Sequence, residues 1–232
     1  MSITPRVEKI RQNYINTKPS ISYERANIWT QSFQRTEGLP MAIRTAQAFY
    51  DTCNELCVNI FEGELIVGAS GEFRKCGILT PEFAWKWVDD EMDNFPQRPQ
   101  DPYEMTEQQR EFVRKNIFPY WKGKSVEDAF LARTSEETKK IGVDTGFLDT
   151  DSKWRNGIGE ISPDYIDQLF PKGFSGIKKE AESYIAQLNE TIAEEKDKIT
   201  FYRSIILVCD GIIRLANRYA EKAVEMAQEE KD

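Results

Sequence analysis

The chain has 232 residues, of which 40% are hydrophobic and 30% charged, enough to bury a sizeable core. A formal charge of −8 argues against nucleic acid as the main partner, and the absence of histidine removes every Ser-His, Cys-His and His-metal arrangement. No apolar run approaches the roughly eighteen residues of a membrane span. The polar start Met1–Arg6 lacks a signal-peptide core, so a cytoplasmic location with no membrane partner is expected.

Residues 1–19 predict a short helix that stops at Pro19. Ser20 or Ser22 is placed to cap a helix from Tyr23 to about Phe33, with Ile28 and Trp29 on its apolar side. Gly38 and Pro40 break that helix. A second is expected from about Met41 to Asn59, with Ile43, Ala46, Phe49, Cys53, Leu56 and Cys57 along a buried stripe. Leu65, Ile66 and Val67 form an apolar run between Gly63 and Gly68 that reads as a buried strand. One other weak strand candidate lies around Glu72 to Leu79. So short a strand needs partners, and their shortage hints that part of the molecule is missing.

Thr80-Pro81-Glu82 has the hydroxyl, proline and acid of a helix start, leading an aromatic segment (Phe83, Trp85, Trp87) to Asp93-Asn94. Three prolines between Phe95 and Pro102 predict an extended loop. Thr106–Gln109 fits a capping box, and Ser125–Asp128 opens another helix. Residues 142–162 carry no sustained period and read as a long loop that is either functional or unpaired with its real neighbours. Ser162-Pro163-Asp164 repeats the helix start, and that helix should end before Gly173. A charged helix follows Gly176, and a last one runs from about Lys198 to Gln228. Its face of Ile205, Cys209, Ile212, Ala216, Tyr219 and Ala223 needs a partner surface. Asp210 and Arg214, four apart, predict an ion pair shielded between helices. Cys53, Cys57, Cys76 and Cys209 read as reduced structural cysteines, the first two able to share a helix face, and no metal site is expected.

Six stretches carry a resemblance. Ser20–Ala26, Thr36–Pro40, Glu64–Gly68, Phe95–Asp101, Ile117–Trp121 and Arg218–Glu221 occur in the order seen in glycyl radical enzymes. They resemble most the pyruvate formate-lyase-like eliminases: glycerol and propanediol dehydratases, choline trimethylamine-lyase and hydroxyproline dehydratase. The resemblance implies a mainly α fold with one or two short strands, forming the N-terminal portion of a glycyl radical enzyme α/β barrel. Residues 1–232 would be the N-terminal segment of a pyruvate formate-lyase-like domain. That family carries a radical cysteine in a Gly-Cys-x-Glu setting and a radical glycine in an Arg-Val-x-Gly-Tyr setting. Neither pattern occurs in these 232 residues.

What the resemblance implies for function is an anaerobic radical lyase, inactive as this chain alone. Its parent would cleave a C–O, C–N or C–S bond in a small hydroxylated substrate. No cofactor would be bound by this chain, and the parent would carry a protein glycyl radical. The implied partners are the C-terminal remainder, a radical-SAM activating enzyme, a small-molecule substrate and a second parent subunit in a homodimer. By resemblance to the family's Gly-His position, Glu160 after Gly159 is the catalytic candidate, a carboxylate that accepts a proton or holds a substrate hydroxyl. Trp154 and Arg155 are the substrate-binding candidates, beside Ser152, where several relatives place an aromatic ring. The competing expectation is a self-sufficient helical interaction protein or a separately encoded subunit of a split enzyme.

Overall fold

The computed structural model describes residues 3–147 and 165–230. In chain order the elements are α1 (Pro5–Asn16), β1 (Ser20–Ser22), α2 (Glu24–Arg35), α3 (Met41–Glu55), β2 (Cys76–Ile78) and α4 (Lys86–Glu91). They continue with α5 (Glu107–Asn116), α6 (Phe118–Trp121), α7 (Val126–Arg133), α8 (Glu136–Thr138), α9 (Phe170–Ile185) and α10 (Ala193–Glu229). The described fold is thus mainly helical with two short strands. It divides into one compact unit of Met1–Ile10, Ile28–Glu72 and Ser162–Asp232, and a second of Arg11–Asn27 and Phe73–Ile161.

In the first unit α10 packs against both α3 and α9. The approach to α3 is set at Gly211 of α10, which is buried opposite Tyr50 and Cys53. A Cβ added at Gly211 would lie 3.2 Å from the Tyr50 Cα and 3.5 Å from the Cys53 Sγ, so a larger residue would push the helices apart. Asp51 is buried on α3, where its carboxylate accepts from Arg35 at 2.8 Å and Gln47 at 2.9 Å. These partners offset the cost of burying a charge.

The sequence expected α3 to run to Asn59; it stops at Glu55. The reason is Arg218 on α10. Its guanidinium donates to the Cys53 carbonyl at 2.8 Å and the Leu56 carbonyl at 2.7 Å, meeting the exposed acceptors of the helix end. Leu56 turns the chain away, so Cys57 does not share a helix face with Cys53. The expected Asp210–Arg214 pair is also replaced. Asp210 accepts from Lys178 of α9 at 2.7 and 3.0 Å, while Arg214 reaches Asn54 of α3 and Glu221. Each side chain finds a partner other than the one four residues away. The last helix begins at Ala193, earlier than Lys198, and α9 is broken at Gly173, the stop expected from sequence, but it continues through Gly176 to Ile185.

Leu65–Val67 is not a buried strand. The chain turns at Phe61–Glu64, through the Glu64 amide on the Phe61 carbonyl at 3.1 Å, and bends at Leu65–Ile66. Leu65 is 83% and Ile66 91% exposed. No neighbouring strand among the described residues supplies a ladder to this run.

The second unit contains the two strands, paired in parallel with Ile21 opposite Gly77. Glu104 extends the sheet beyond β1: its carbonyl accepts from Ile21 N at 2.9 Å and its amide donates to Pro19 O at 2.8 Å. β2 lies in the weak Glu72–Leu79 candidate. β1 was read from sequence as a cap, and Ser22 plays that part as well, its Oγ accepting from Glu24 N at 3.3 Å. Met92, Val113 and Ile117 are fully buried, and Phe95, Phe118 and Trp121 nearly so. Each such side chain contributes roughly 1.5–3 kcal/mol by leaving water.

Two helix starts match their sequence signals. Thr106 Oγ1 accepts from Gln109 N at 3.3 Å while Gln109 Oε1 accepts from Thr106 N at 2.8 Å. Ser125 Oγ accepts from Asp128 N at 3.1 Å at the start of α7. Thr80-Pro81-Glu82 makes only a turn, and α4 begins at Lys86. The Glu82 and Phe83 carbonyls accept, both at 2.9 Å, from Val126 N and Glu127 N. They satisfy the open amides of α7 and are not free to continue a helix of their own. Phe95–Gln97 is likewise not extended but closes a 3-10 helix from Met92, whose Phe95 carbonyl accepts from Tyr103 N at 3.2 Å.

Candidate functional site

Glu160, Trp154, Arg155, Ser152 and Gly159 lie outside the described residues, as does the Ser162-Pro163-Asp164 start. What the structure describes is the two flanks of their segment, one in each compact unit. On the N-terminal flank Ser135 caps α8, its Oγ accepting from Thr138 N at 3.1 Å. A π-helical turn, Lys139–Val143, follows and closes with Asp144 N on Lys139 O at 2.8 Å. Glu137, Thr138, Ile141, Gly142 and Phe147 line a shallow hollow of about 380 Å³. Phe147 is 85% exposed at its edge.

On the C-terminal flank a second π-helical turn, Tyr165–Leu169, leads into α9. Tyr165 and Phe170 bring their rings to 6.1 Å, and Phe170 remains 76% exposed. Wide turns of this kind recur at functional sites, because they widen the helix and re-aim the side chains after it. Each flank leaves a large aromatic side chain in solvent, Phe147 on the N-terminal one and Phe170 on the C-terminal one.

Several polar groups elsewhere are paired structurally. In the second unit Arg25 meets Glu82 at 2.5 Å, with the two side chains 14% and 10% exposed. Arg25 also reaches the Leu79 carbonyl at 3.5 Å, tying α2 to the end of β2. Arg114 donates to Asp89 and to Asp93, both at 2.8 Å. Those hydrogen bonds hold the Asp93 carboxyl below the usual carboxylate range and the Arg114 guanidinium above its own. Asp128 accepts from Trp85 Nε1 at 3.0 Å, Gly123 N at 3.0 Å and Ser125 Oγ at 2.7 Å.

In the first unit the hydrogen bond from Lys178 to Asp210 raises the Lys178 ammonium above its ordinary range. Burial pushes the Cys53 and Cys209 thiols up, which suits packing and not thiolate chemistry. All four cysteines are free. Among the described residues no group of three or more Cys, Asp or Glu is placed to hold a metal ion. Nor is any described helix long and apolar enough to cross a membrane.

Arg218 received no role from the sequence beyond its place in the Arg218–Glu221 motif. The structure makes it the clamp on α3, and its neighbour Tyr219 donates to the Ala69 carbonyl at 3.4 Å. The sign available in the sequence was a basic residue beside a buried tyrosine on an otherwise apolar face. Its acceptors were unreadable, lying more than 140 residues earlier in the chain.

Comparison with known proteins agrees with the resemblance. The model of the pyruvate formate lyase-like family matches residues 2–232. The isethionate sulfite-lyase of Desulfovibrio desulfuricans is 33% identical, over 98% of this chain and 28% of its own. The glycerol-bound B12-independent glycerol dehydratase of Clostridium butyricum superposes on all of this chain at TM-score 0.90 and 30% identity, with 29% of its own length covered. A structure of Roseburia inulinivorans, solved for 1,2-propanediol dehydration, gives TM-score 0.92 at 28% identity over 27% of its length. The chain therefore spans little more than a quarter of the relatives it matches. It belongs to the pyruvate formate lyase-like family, whose members matched here are glycyl radical enzymes.

Proposed function

We propose that the chain is the N-terminal portion of an anaerobic glycyl radical lyase. In this reading residues 1–232 form one edge of the α/β barrel of a pyruvate formate-lyase-like domain and do not turn over alone. A remainder supplies the radical cysteine and glycine, and a radical-SAM enzyme activates it. The assembled protein is a cytoplasmic homodimer. The observation that carries this reading is the family match over 2–232, set against relatives of which the chain covers about 28%.

The radical pair of the remainder supplies hydrogen abstraction beside the leaving group. This chain's own part is to hold the substrate while a C–O, C–N or C–S bond breaks. Glu160 accepts the substrate hydroxyl proton or fixes that hydroxyl by a charge-assisted hydrogen bond. Trp154 supplies an apolar wall and Arg155 a cationic group to the same pocket. The names of the relatives mark out a set of probes: isethionate, glycerol, 1,2-propanediol and trans-4-hydroxy-L-proline.

The test joins this chain to the remaining part of the isethionate sulfite-lyase and activates the product anaerobically. Turnover of at least one probe is expected, with Glu160→Gln lowering it about 100-fold, the scale of a lost proton acceptor. Unchanged turnover in that variant would remove Glu160 from the chemistry.

A further inference from the structure

The chain from Tyr165 to Lys172 forms an arm ahead of the main length of α9, and all of it but Leu169 is exposed. Pro171 has no amide to donate to Asp167, four residues earlier, and the turn before it opens to the π spacing. At Gly173 the backbone takes φ 59° and ψ 175°, a region that essentially only glycine populates. The break between the arm and the helix is therefore built into the sequence.

One side chain crosses that break. Lys172 Nζ donates to Gln168 Oε1 at 2.8 Å within the arm and to Glu180 Oε2 at 2.7 Å on the helix beyond. Glu180 is held in turn, its Oε1 accepting from the Tyr184 hydroxyl at 3.4 Å. The lysine hydrogen bond keeps the Glu180 carboxyl below the usual carboxylate range. Gly176 leaves the passage open. A Cβ there would lie 2.9 Å from the Lys172 Cβ, so one of the two would have to move. The two glycines thus serve a single contact: Gly173 bends the chain, and Gly176 lets the lysine stem lie back across the helix.

We propose that Lys172 is a positioning residue that latches the arm across Gly173. It thereby fixes the direction from which the segment carrying Trp154, Arg155 and Glu160 joins α9. The inference rests on the proposed function for those three residues, and it adds what orients the flank that follows them. The pair is only partly sheltered, Lys172 being 36% and Glu180 41% exposed, so the latch is salt-sensitive.

Amide hydrogen exchange at residues 166–170 of the 232-residue chain reads the latch directly. Lys172→Met should speed it about 5-fold, the scale of one such pair, and leave residues 177–185 unchanged; Lys172→Arg should restore it. Salt at about 1 M should speed exchange in the natural chain to the same degree and leave Lys172→Met unaffected. Gly176→Ala separates the latch from simple helix stability. Alanine favours the helix over glycine, so residues 177–185 should gain protection while the arm loses it.

In the chain joined to the remaining part of the isethionate sulfite-lyase, Lys172→Met should raise KM for a converted probe about 5-fold, with kcat within about 2-fold. Lys172→Arg should restore that KM. Exchange at 166–170 that ignores Lys172→Met would overturn the latch. Faster exchange with an unchanged KM would overturn the positioning role while leaving the proposed function intact. A joined polypeptide that folds and carries the radical yet converts no probe would overturn the proposed function and the positioning role together, whatever the exchange shows.

Discussion

Leu79–Trp121 and Phe61–Ala69 are both rich in large apolar residues, and they treat them in opposite ways. In the first, Val88, Met92, Phe95, Val113, Ile117, Phe118 and Trp121 all withdraw from water behind a shell of ion pairs and capped helix ends. In the second, the turn at Phe61–Glu64 and the clamp from Tyr219 fix the ends while Leu65 and Ile66 stay in solvent. The difference teaches that ordered backbone and buried side chains are separate achievements. Polar anchors alone shape a loop, whereas closing an apolar surface requires a facing surface of matching size.

The sharpest way to break that contrast is to remove one apolar side chain from each region. Trp121→Ala should cost about 3–5 kcal/mol, as for other large buried aromatics, while Ile66→Ser should change stability by less than about 0.5 kcal/mol. Urea unfolding of the two variants measures both. Similar costs at the two positions would mean that Leu65–Val67 is covered within this chain.

The anchors come next in size. Arg218→Ala takes a charged donor from the Cys53 and Leu56 carbonyls and should cost about 1.5–3 kcal/mol. It should also speed amide exchange across residues 56–69. Thr106→Ala removes the first half of a capping box in the closed region and should cost about 1 kcal/mol.

The smallest expected effect is one of pH. Asp93 is held below its ordinary value of 3.8 by the Arg114 hydrogen bond. Its contribution is therefore complete above the unfolded value and is lost as pH falls through the lower, folded one. Asp93→Asn should lower stability slightly in the neutral region and leave the most acid end unchanged, so that the acid limb below about pH 4 is flattened. An unchanged acid limb would show that the exposed carboxylate contributes nothing.

The same contrast governs what could be read from the amino acids. Both helix starts at Thr106 and Ser125 were legible, because each is written in four adjacent residues. The apolar sides of α2 and α3 were legible for the same local reason, through Ile28, Trp29, Ala46 and Cys53. β1 was not, since Ser20–Ser22 becomes a strand only by meeting Cys76–Ile78. Asp210 was assigned to Arg214 because the two share a helix, whereas its partner Lys178 approaches from α9. Thr80-Pro81-Glu82 has the residues of a helix start, but its carbonyls serve α7. Leu65–Val67 has the composition of a buried strand and, among the described residues, lacks the neighbour that would bury it. For Glu160, Trp154 and Arg155 the reading remains one of resemblance, since they lie outside the described residues.

The most direct measurement is substrate turnover by the 232-residue chain alone and by the same chain joined to a sulfite-lyase remainder, each treated with a radical-SAM activating enzyme. The account predicts no turnover and no glycyl radical signal in the chain alone, and both in the joined polypeptide. Substrate-dependent turnover by the chain alone would contradict it. So would a correctly folded joined polypeptide that acquires the radical and yet converts none of the four probes.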